Sequence, residues 1–373
     1  MAVIGFSDLR NNTLPALWDA DYFTRLKLRD GTSFEAMVAL TSRVLANFTG
    51  ELLSMPHYSG LFAVQDDPAV KYAIGTSNAW EVSTEYGVPD PRRGKTEGHM
   101  LPIRSYDWAL GWTNRYLMEH YVEDLDADIK SMIDSARKLW QQRLLTRLFD
   151  DTANTIDGTA YADLPFANSD NDISTYVPPV SPQGEEFAYT HDHFHGYSTS
   201  GVTQDTFNIA AIEVLVEHLQ EHGYAAPWDM CVSRVDISSW AAVTGFKPPN
   251  WSGINFHSSA VERAAFSNID SYIGSIESER GMVQLWETPR VPTKFACLYK
   301  RMDGETAGGE GAPLRVRYDD MYGFGFRLVP GDYVNSPVHL VVGWSKFGVG
   351  VGNRLNGVCL DLGDSTYTAP TIT

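Results

Sequence analysis

The sequence predicts an α+β protein, and three observations carry that reading. Residues 121–150 hold apolar side chains at the 3.6-residue period of a long amphipathic helix. Residues 61–118 contain two alternating segments around a polar tip, the pattern of a long hairpin. The last third of the chain is a succession of apolar, strand-like runs separated by turn residues.

Along the chain, residues 1–30 read as an extended arm with a short helical piece. "SFEAMVALTSRVLANFTGELLSM" then places Phe34, Met37, Val38, Leu40, Val44, Leu45 and Phe48 on helical spacing, with Ser33 as the N-cap. In "AWEVSTEYGVPDPRRGKTEGHMLPIRSYDWALGWT" the tip "GVPDPRRGKTEGH" is rich in proline, glycine and charge. A hairpin of this length has no means of burying both faces in its own domain. Something else must cover it.

"YVEDLDADIKSMIDSARKLWQQRLLTRLFD" is the clearest element. Val122, Leu125, Ile129, Met132, Ile133, Ala136, Trp140, Leu144 and Leu148 form its apolar stripe. Its first turns are acidic (Glu123, Asp124, Asp126, Asp128) and its last basic (Arg137, Lys138, Arg143, Arg147), which complements the helix dipole. At ~1.5 Å per residue the rod is about 40 Å long. Residues 151–204 read as loop. "DTFNIAAIEVLVEHLQEHGY" predicts a second helix, capped by Asp205, with Ile209, Ile212, Leu215, Val216 and Leu219 inward and Gly223 as the stop. "WDMCVSRV" reads as a buried strand, "SSWAAVTGF" as a short helix and "NFHSSAVERAAF" as a further helical segment.

In the last third, "GMVQLWETPRVPTKFACLYKR" reads as strand, turn, strand, and "MDGETAGGEGAP" as a loop. "LRVRYDDMYGFGFRLV" and "SPVHLVVGWSKFGVGV" read as two long strands joined by "PGDYVN", and "NRLNGVCLDLG" as a final strand. Glycines that alternate with apolar residues in "WSKFGVGVGN" point to bends or close backbone approach, not to dinucleotide binding.

Composition narrows the function classes. A chain of 373 residues with 43% apolar content is long enough for two or three domains, or one elaborated domain, and buries a large core. The formal charge of −18, from 29 basic and 47 acidic residues, argues against a sequence-reading nucleic-acid binder. Cys231, Cys297 and Cys359 sit inside apolar runs without a CxxC pair, which predicts buried free thiols in a reducing compartment. No apolar run approaches the ~18 residues of a membrane span. The N-terminus lacks a signal-peptide pattern, so a cytoplasm-like compartment is expected and the Asn47-Phe48-Thr49 sequon reads as accidental.

The stretch "EEFAYTHDHFHGYSTSGVTQDTF" places His191, His193 and His195 at alternate positions. On an extended chain they share a face, with neighbours ~6.6 Å apart and the outer pair ~13 Å apart. Two could chelate one ion, whereas three need a bend, and a working site needs further ligands and a second shell. The remaining histidines show no other ligand pattern. The favoured reading is therefore a polar loop or interface cluster, with a metal-dependent enzyme using His191, His193 and His195 as the rival. "EHLQEH" puts His218 and His222 on one helix face but lacks the HExxH order of a zincin, and its histidines suit a helix C-terminus. "GVPDPRRGKT" has the wrong spacing for a phosphate loop, and "GYSTSG" fails the G-x-S-x-G pattern. No acid/base pair stands out, so neither a catalytic residue nor a cofactor is expected.

The order of elements carries more than any motif. Arm, long hairpin, long helix, helix-and-strand region and returning long strands together resemble the HK97-fold major capsid proteins of tailed bacteriophages. Residues 121–150 resemble that family's spine helix, and "IAAIEVLVEHLQEHGYAAPWDMCVSRVD" its A-domain helix, glycine stop and strand. "ERGMVQLWETPRVPTKFACLYKR" resembles the strands near the end of the A-domain. "LRVRYDDMYGFGFRLVPGDYVNSPVHLVVGWSKFGVGVGNRLNGVCLDL" resembles the long P-domain strands and the last A-domain strand.

The resemblance implies an N-terminal arm and helix over 1–60, an E-loop hairpin over 61–118 and a P-domain over 119–204 with its spine helix at 121–150. It places an A-domain at 205–300, P-domain return strands at 301–350, and a C-terminal A-domain strand and tail at 351–373. It implies self-assembly into hexamers and pentamers of an icosahedral head enclosing double-stranded DNA, held nonspecifically. Scaffolding, portal and decoration proteins are the further partners, in a virion assembled in the host cytoplasm and without a membrane. Because the chain begins so close to its arm, a separate scaffold or a processed chain is expected. An encapsulin-like shell is the close alternative, and a tail or decoration protein a more distant one.

Trp80, Val82, Leu101 and Ile103, apolar on the arm-and-hairpin region, and Arg92, Arg93 and Lys95 at its tip are the candidate inter-subunit contacts. Some relatives crosslink a hairpin lysine to an asparagine. Lys71 and Lys95, and Asn353 and Asn356, are of the right types, but no motif selects a pair and the crosslink is not carried over.

Overall fold

A computed structural model describes residues 28–32, 34–54, 60–75, 94–156, 162–168, 176–188, 190–199, 201–249, 272–301, 311–321, 323–330 and 338–372. In chain order its elements are α1 (Phe34–Ser54), β1 (Phe62–Gln65), β2 (Ala69–Ile74), β3 (Lys95–Met100), β4 (Arg104–Thr113), α2 (Asn114–Glu119) and α3 (Val122–Phe149). There follow β5 (Asn154–Thr155), β6 (Ala162–Asp163), β7 (Phe194–Gly196), α4 (Ile209–Glu221), β8 (Trp228–Val232), α5 (Ile237–Ala241), β9 (Phe246–Lys247) and β10 (Tyr272–Ser278). The last are β11 (Gly281–Glu287), β12 (Phe295–Tyr299), β13 (Leu314–Tyr318), β14 (Arg327–Pro330), β15 (Val338–Val351) and β16 (Val358–Asp361). The chain divides into two compact units. The first takes residues 1–54, 104–140 and 319–347, and the second 55–103, 141–318 and 348–373.

In the first unit, β4 runs antiparallel to β15 from Arg104↔Phe347 to Thr113↔Val338, and β14 lines the other edge of β15. The predicted stripe of the long helix is buried here: Leu125, Ile129, Met132, Ile133, Ala136 and Trp140. Trp140 packs on Phe347 at 4.9 Å and edge-on to Phe324 at 5.5 Å. Leu45, Phe48 and Leu52 bury one face of α1, with Phe48 5.7 Å from Phe326. The Trp112 indole donates to Asp128 at 2.9 Å and so ties β4 to α3. Thr113 caps α2 by accepting from the Tyr116 amide at 3.1 Å.

The second unit is built on a seven-stranded sheet in the order β7-β16-β12-β8-β11-β10-β9. Both faces are covered, which explains apolar runs without polar alternation. Val358 and Leu360 of β16 join the core formed by Ala211, Ile212, Leu215, Val216 and Leu219 of α4. Cys359, between them, points to the opposite face, where its thiol donates to the Leu148 carbonyl at 3.2 Å. Phe149 and Phe295 meet at 6.0 Å on that same face. Cys231, Cys297 and Cys359 are free, buried and in register across β8, β12 and β16. β2 and β3 pair antiparallel from Ala69↔Met100 to Ile74↔Lys95, and β1 pairs parallel with β13.

Several expectations are corrected. The hairpin's strands are β2 and β3, so "KTEGH" is strand and not tip, and β4 pairs with β15. A polar strand gives weak alternation, and only His99 of β3 is buried. The cap of α4 is Asn208, which accepts from the Ala211 amide at 3.1 Å. Asp205 has φ 59°, outside the extended backbone a cap needs, and pairs instead with Lys294. "LRVRYDDMYGFGFRLV" forms two strands, β13 and β14, broken after Tyr318. Residues 151–204 include β5, β6 and β7. Arg147 is buried, paired with Asp163 at 3.1 Å and donating to the Asp150 and Thr152 carbonyls. It therefore caps the helix end directly.

The strand glycines behave as expected. A Cβ at Gly348 would lie 1.8 Å from the Pro102 carbonyl oxygen. Gly223 ends α4 with φ 79°. The arm through residue 27, Ser33, and the segment "NFHSSAVERAAF" lie outside the described residues, as do most of "MDGETAGGEGAP" and of "PGDYVN".

Candidate functional site

The most concentrated chemistry among the described residues is a histidine cluster in the second unit. His193 enters it on a clamped backbone: its amide donates to the Ala167 carbonyl and its carbonyl accepts from the Cys359 amide, each at 2.8 Å. This pins the approach to β7 against β16. Across from it, α4 presents His218 and His222. They continue the stripe of buried Ala211 and Leu215 at steps of four, three and four residues, so both rings face inward.

His191, His193, His218 and His222 each offer one ring nitrogen, and these four atoms lie within 4.8 Å of one another. The Nε2 atoms of His191 and His222 are 3.0 Å apart. The His191 and His218 rings stack at 4.7 Å, and those of His193 and His222 at 4.8 Å. His195 completes the group, 5.1 Å from the His218 ring. Phe187 forms an apolar wall, 4.3 Å from His222 and 5.2 Å from His191.

Protonation states follow from the partners. His193 Nδ1 lies 2.7 Å from the Gly357 carbonyl, which only accepts, so Nδ1 carries the proton and Nε2 presents a lone pair. His193 Nε2, His195 Nε2, His218 Nε2 and His222 Nδ1 are buried without a hydrogen-bond partner. Burial, aided by the neighbouring rings, lowers His218 to about 2 and His222 to about 3, and puts His195 at about 4. Burial also lowers His191, and it takes His193 well below the ordinary imidazole value. Near neutral pH the cluster is a set of uncharged imidazoles, each able to donate a lone pair.

Of the three alternating histidines, read as a polar loop or interface cluster, His193 is 0% exposed and His195 8%. His218 and His222, read as helix-end residues with no ligand pattern, belong to the same cluster. The signal was their place on the buried stripe of α4. What the sequence lacked was any marker that a strand 27 residues away closes onto it.

Of the candidate contacts, Trp80, Val82, Arg92 and Arg93 lie outside the described residues. Lys95 is exposed at the start of β3, and Ile103 is half-buried. Leu101 is corrected: it is 0% exposed and packs within its own unit, beside Gly350. Asn356 is fully buried, its amide donating to the Lys300 and Gly311 carbonyls, and Asn353 donates to the Tyr224 hydroxyl at 2.7 Å. No helix among the described residues is long and apolar enough to cross a membrane.

Comparison with protein-family models and with curated proteins finds no match. Among solved structures, the chain is similar to one from Mycobacterium phage Patience. The two are 19% identical, over 96% of this chain and 97% of that chain, with a TM-score of 0.60. A chain in the capsid structure of the cyanophage P-SCSP1u matches at 9% identity, over 81% of this chain and 86% of that chain, with a TM-score of 0.46. One in the asymmetric unit of the bacteriophage PhiM1 mature capsid matches at 10% identity, over 82% of this chain and 86% of that chain, at 0.45. The first match spans both chains almost end to end, and the fold is the α+β HK97-type capsid fold.

Proposed function

We propose that this chain is a major capsid protein that self-assembles into the hexamers and pentamers of an icosahedral phage head enclosing double-stranded DNA. The observation that carries the reading is the shared fold over 96% of this chain and 97% of a chain from Mycobacterium phage Patience, at a TM-score of 0.60. On this reading the protein's role is structural and not enzymatic.

The first unit supports it independently. β4 is ten residues long, and among the described residues it pairs only with β15. A long strand at the edge of a sheet is a common template for association. Trp108 on β4 is 41% exposed, Tyr121 44% and Met321 80%. Repeated heterologous contacts through such a surface close into rings and then a cage. The hairpin residues Trp80, Val82, Arg92, Arg93, Lys95 and Ile103 are the further contacts we assign to neighbours.

With a net charge of −18, contact with DNA is a matter of local basic residues and phosphate attraction, and weakens steeply with salt. A scaffold, a portal and a decoration protein are the partners such a shell would take. The test is light scattering with negative-stain microscopy on the purified chain. Closed shells, or hexamers and pentamers, are expected; a monodisperse monomer at every concentration and salt condition tried would contradict the reading.

A further inference from the structure

We propose that His191, His193, His218 and His222 bind one late first-row divalent cation of the Zn²⁺ type, bracing the segment that leads into β7 against the C-terminal end of α4. The inference does not depend on the capsid reading.

Four features carry it. First, the ligands form two natural pairs: His191 and His193, two apart on the segment that leads into β7, and His218 and His222, four apart on the last turn of α4 and its C-cap. Each pair presents its nitrogens on one face. Second, one nitrogen from each ring already lies within 4.8 Å of the other three. In a tetrahedral zinc site with Zn–N of ~2.0–2.1 Å the ligand atoms stand roughly 3.4 Å apart. Small ring rotations close that difference, and the 3.0 Å between His191 and His222 is already inside it.

Third, one ligand already has its outer hydrogen bond in place. The Gly357 carbonyl accepts a hydrogen bond from Nδ1–H of His193, a residue with no exposure, and its Nε2 is left buried without a partner. A ligand histidine held by its other nitrogen is the usual arrangement around a bound metal. His218 Nε2 is likewise buried without a partner. Burying several unpartnered ring nitrogens together costs free energy that a cation would offset.

Fourth, the donor chemistry is selective. Among the described residues the set contains only imidazoles. Neutral nitrogen donors suit Zn²⁺, Co²⁺, Ni²⁺ and Cu²⁺, whereas Ca²⁺ and Mg²⁺ prefer oxygen. Phe187 shields one side. His195 stands outside the four, its ring 5.1 Å from that of His218.

The test uses the full-length protein, stripped with a chelator and titrated with Zn²⁺ and, separately, Co²⁺. One equivalent of Zn²⁺ per chain is expected, with a rise in Tm of roughly 5 °C at a hundredfold excess over Kd. Co²⁺ should give the intense visible bands of a tetrahedral nitrogen site, which surface carboxylates do not produce. His193→Ala and the pair His218→Gln with His222→Gln should abolish both signals, while His120→Ala, outside the cluster, should leave them unchanged. If those variants fail to fold, the wild-type Co²⁺ spectrum and stoichiometry decide. A wild-type protein that takes up no Zn²⁺, or gives only weak octahedral Co²⁺ bands, would overturn the proposal. So would folded variants that bind as wild type does.

Discussion

The sheet of the second unit and the β14-β15-β4 strands of the first solve different problems. Strands β8, β12 and β16 are buried on both faces, with Met230, Leu298 and Leu360 on one face and Cys297 and Cys359 on the other all at 0% exposure. β4, of similar aromatic content, leaves most of its residues exposed. Their difference separates two functions of apolar surface. The second unit spends it on its own core. The first leaves some of it exposed, which the proposed capsid role would use for contacts with neighbouring copies.

If the second unit carries its own stability, the largest effects should lie there. Arg147→Ala leaves the buried Asp163 carboxylate without its cation and should cost about 3–5 kcal/mol in urea unfolding at pH 7. Burial pushes Asp163 up to about 6 against the opposing pull of Arg147. The penalty should therefore shrink at pH 5, where that carboxyl is protonated. A loss that is the same at both pH values would assign the effect to the missing carbonyl bonds instead. Leu215→Ala empties a fully buried site of the core cluster and should cost about 2–5 kcal/mol in the same assay.

A smaller effect concerns His99. Its Nε2 donates to the Val351 carbonyl at 2.7 Å, the Tyr72 ring lies 6.2 Å away, and Arg354 and Arg147 face it electrostatically. Burial lowers it to about 4 from the usual 6.5, and the two arginines add to the shift. Between pH 6.5 and 4 the unfolded chain holds a proton that the folded chain does not. Stability contributed by neutral His99 is thus complete above pH 6.5 and lost as pH falls toward 4, by about 1.4 kcal/mol per pH unit. Asp163 runs the other way, gaining on acidification from about 6 toward 3.8. The informative comparison is His99→Gln with wild type: the variant keeps the donor to Val351 and should show a flatter loss below pH 6.5. Parallel curves would mean that His99 takes its proton without cost.

Much of this architecture was legible in sequence, and its misses have physical reasons. The long helix could be read because nine apolar residues keep the 3.6 period and α3 runs from Val122 to Phe149 as expected. The last strands could be read because a sheet covered on both faces demands unbroken apolar runs. The cap of α4 was misplaced because Asp205 and Asn208 are both good cap residues, and only backbone geometry distinguishes them. β3 was misread because Lys95, Thr96 and Glu97 are polar, and pairing with β2, not burial, keeps them extended. The histidine cluster was half visible: each chelating pair has its own local spacing, but their meeting is a tertiary event. The exposed face of β4 could not be read at all, since exposure of Trp108 is a property of the fold.

The comparison is tested most directly by Trp108→Arg, followed by sedimentation velocity beside a thermal melt. The account predicts a Tm within a few degrees of wild type, because a 41%-exposed side chain contributes little to its own core, together with loss of closed shells. A variant that assembles as wild type does would contradict the assignment of this face to neighbouring subunits. One that unfolds would return Trp108 to the first unit's own core.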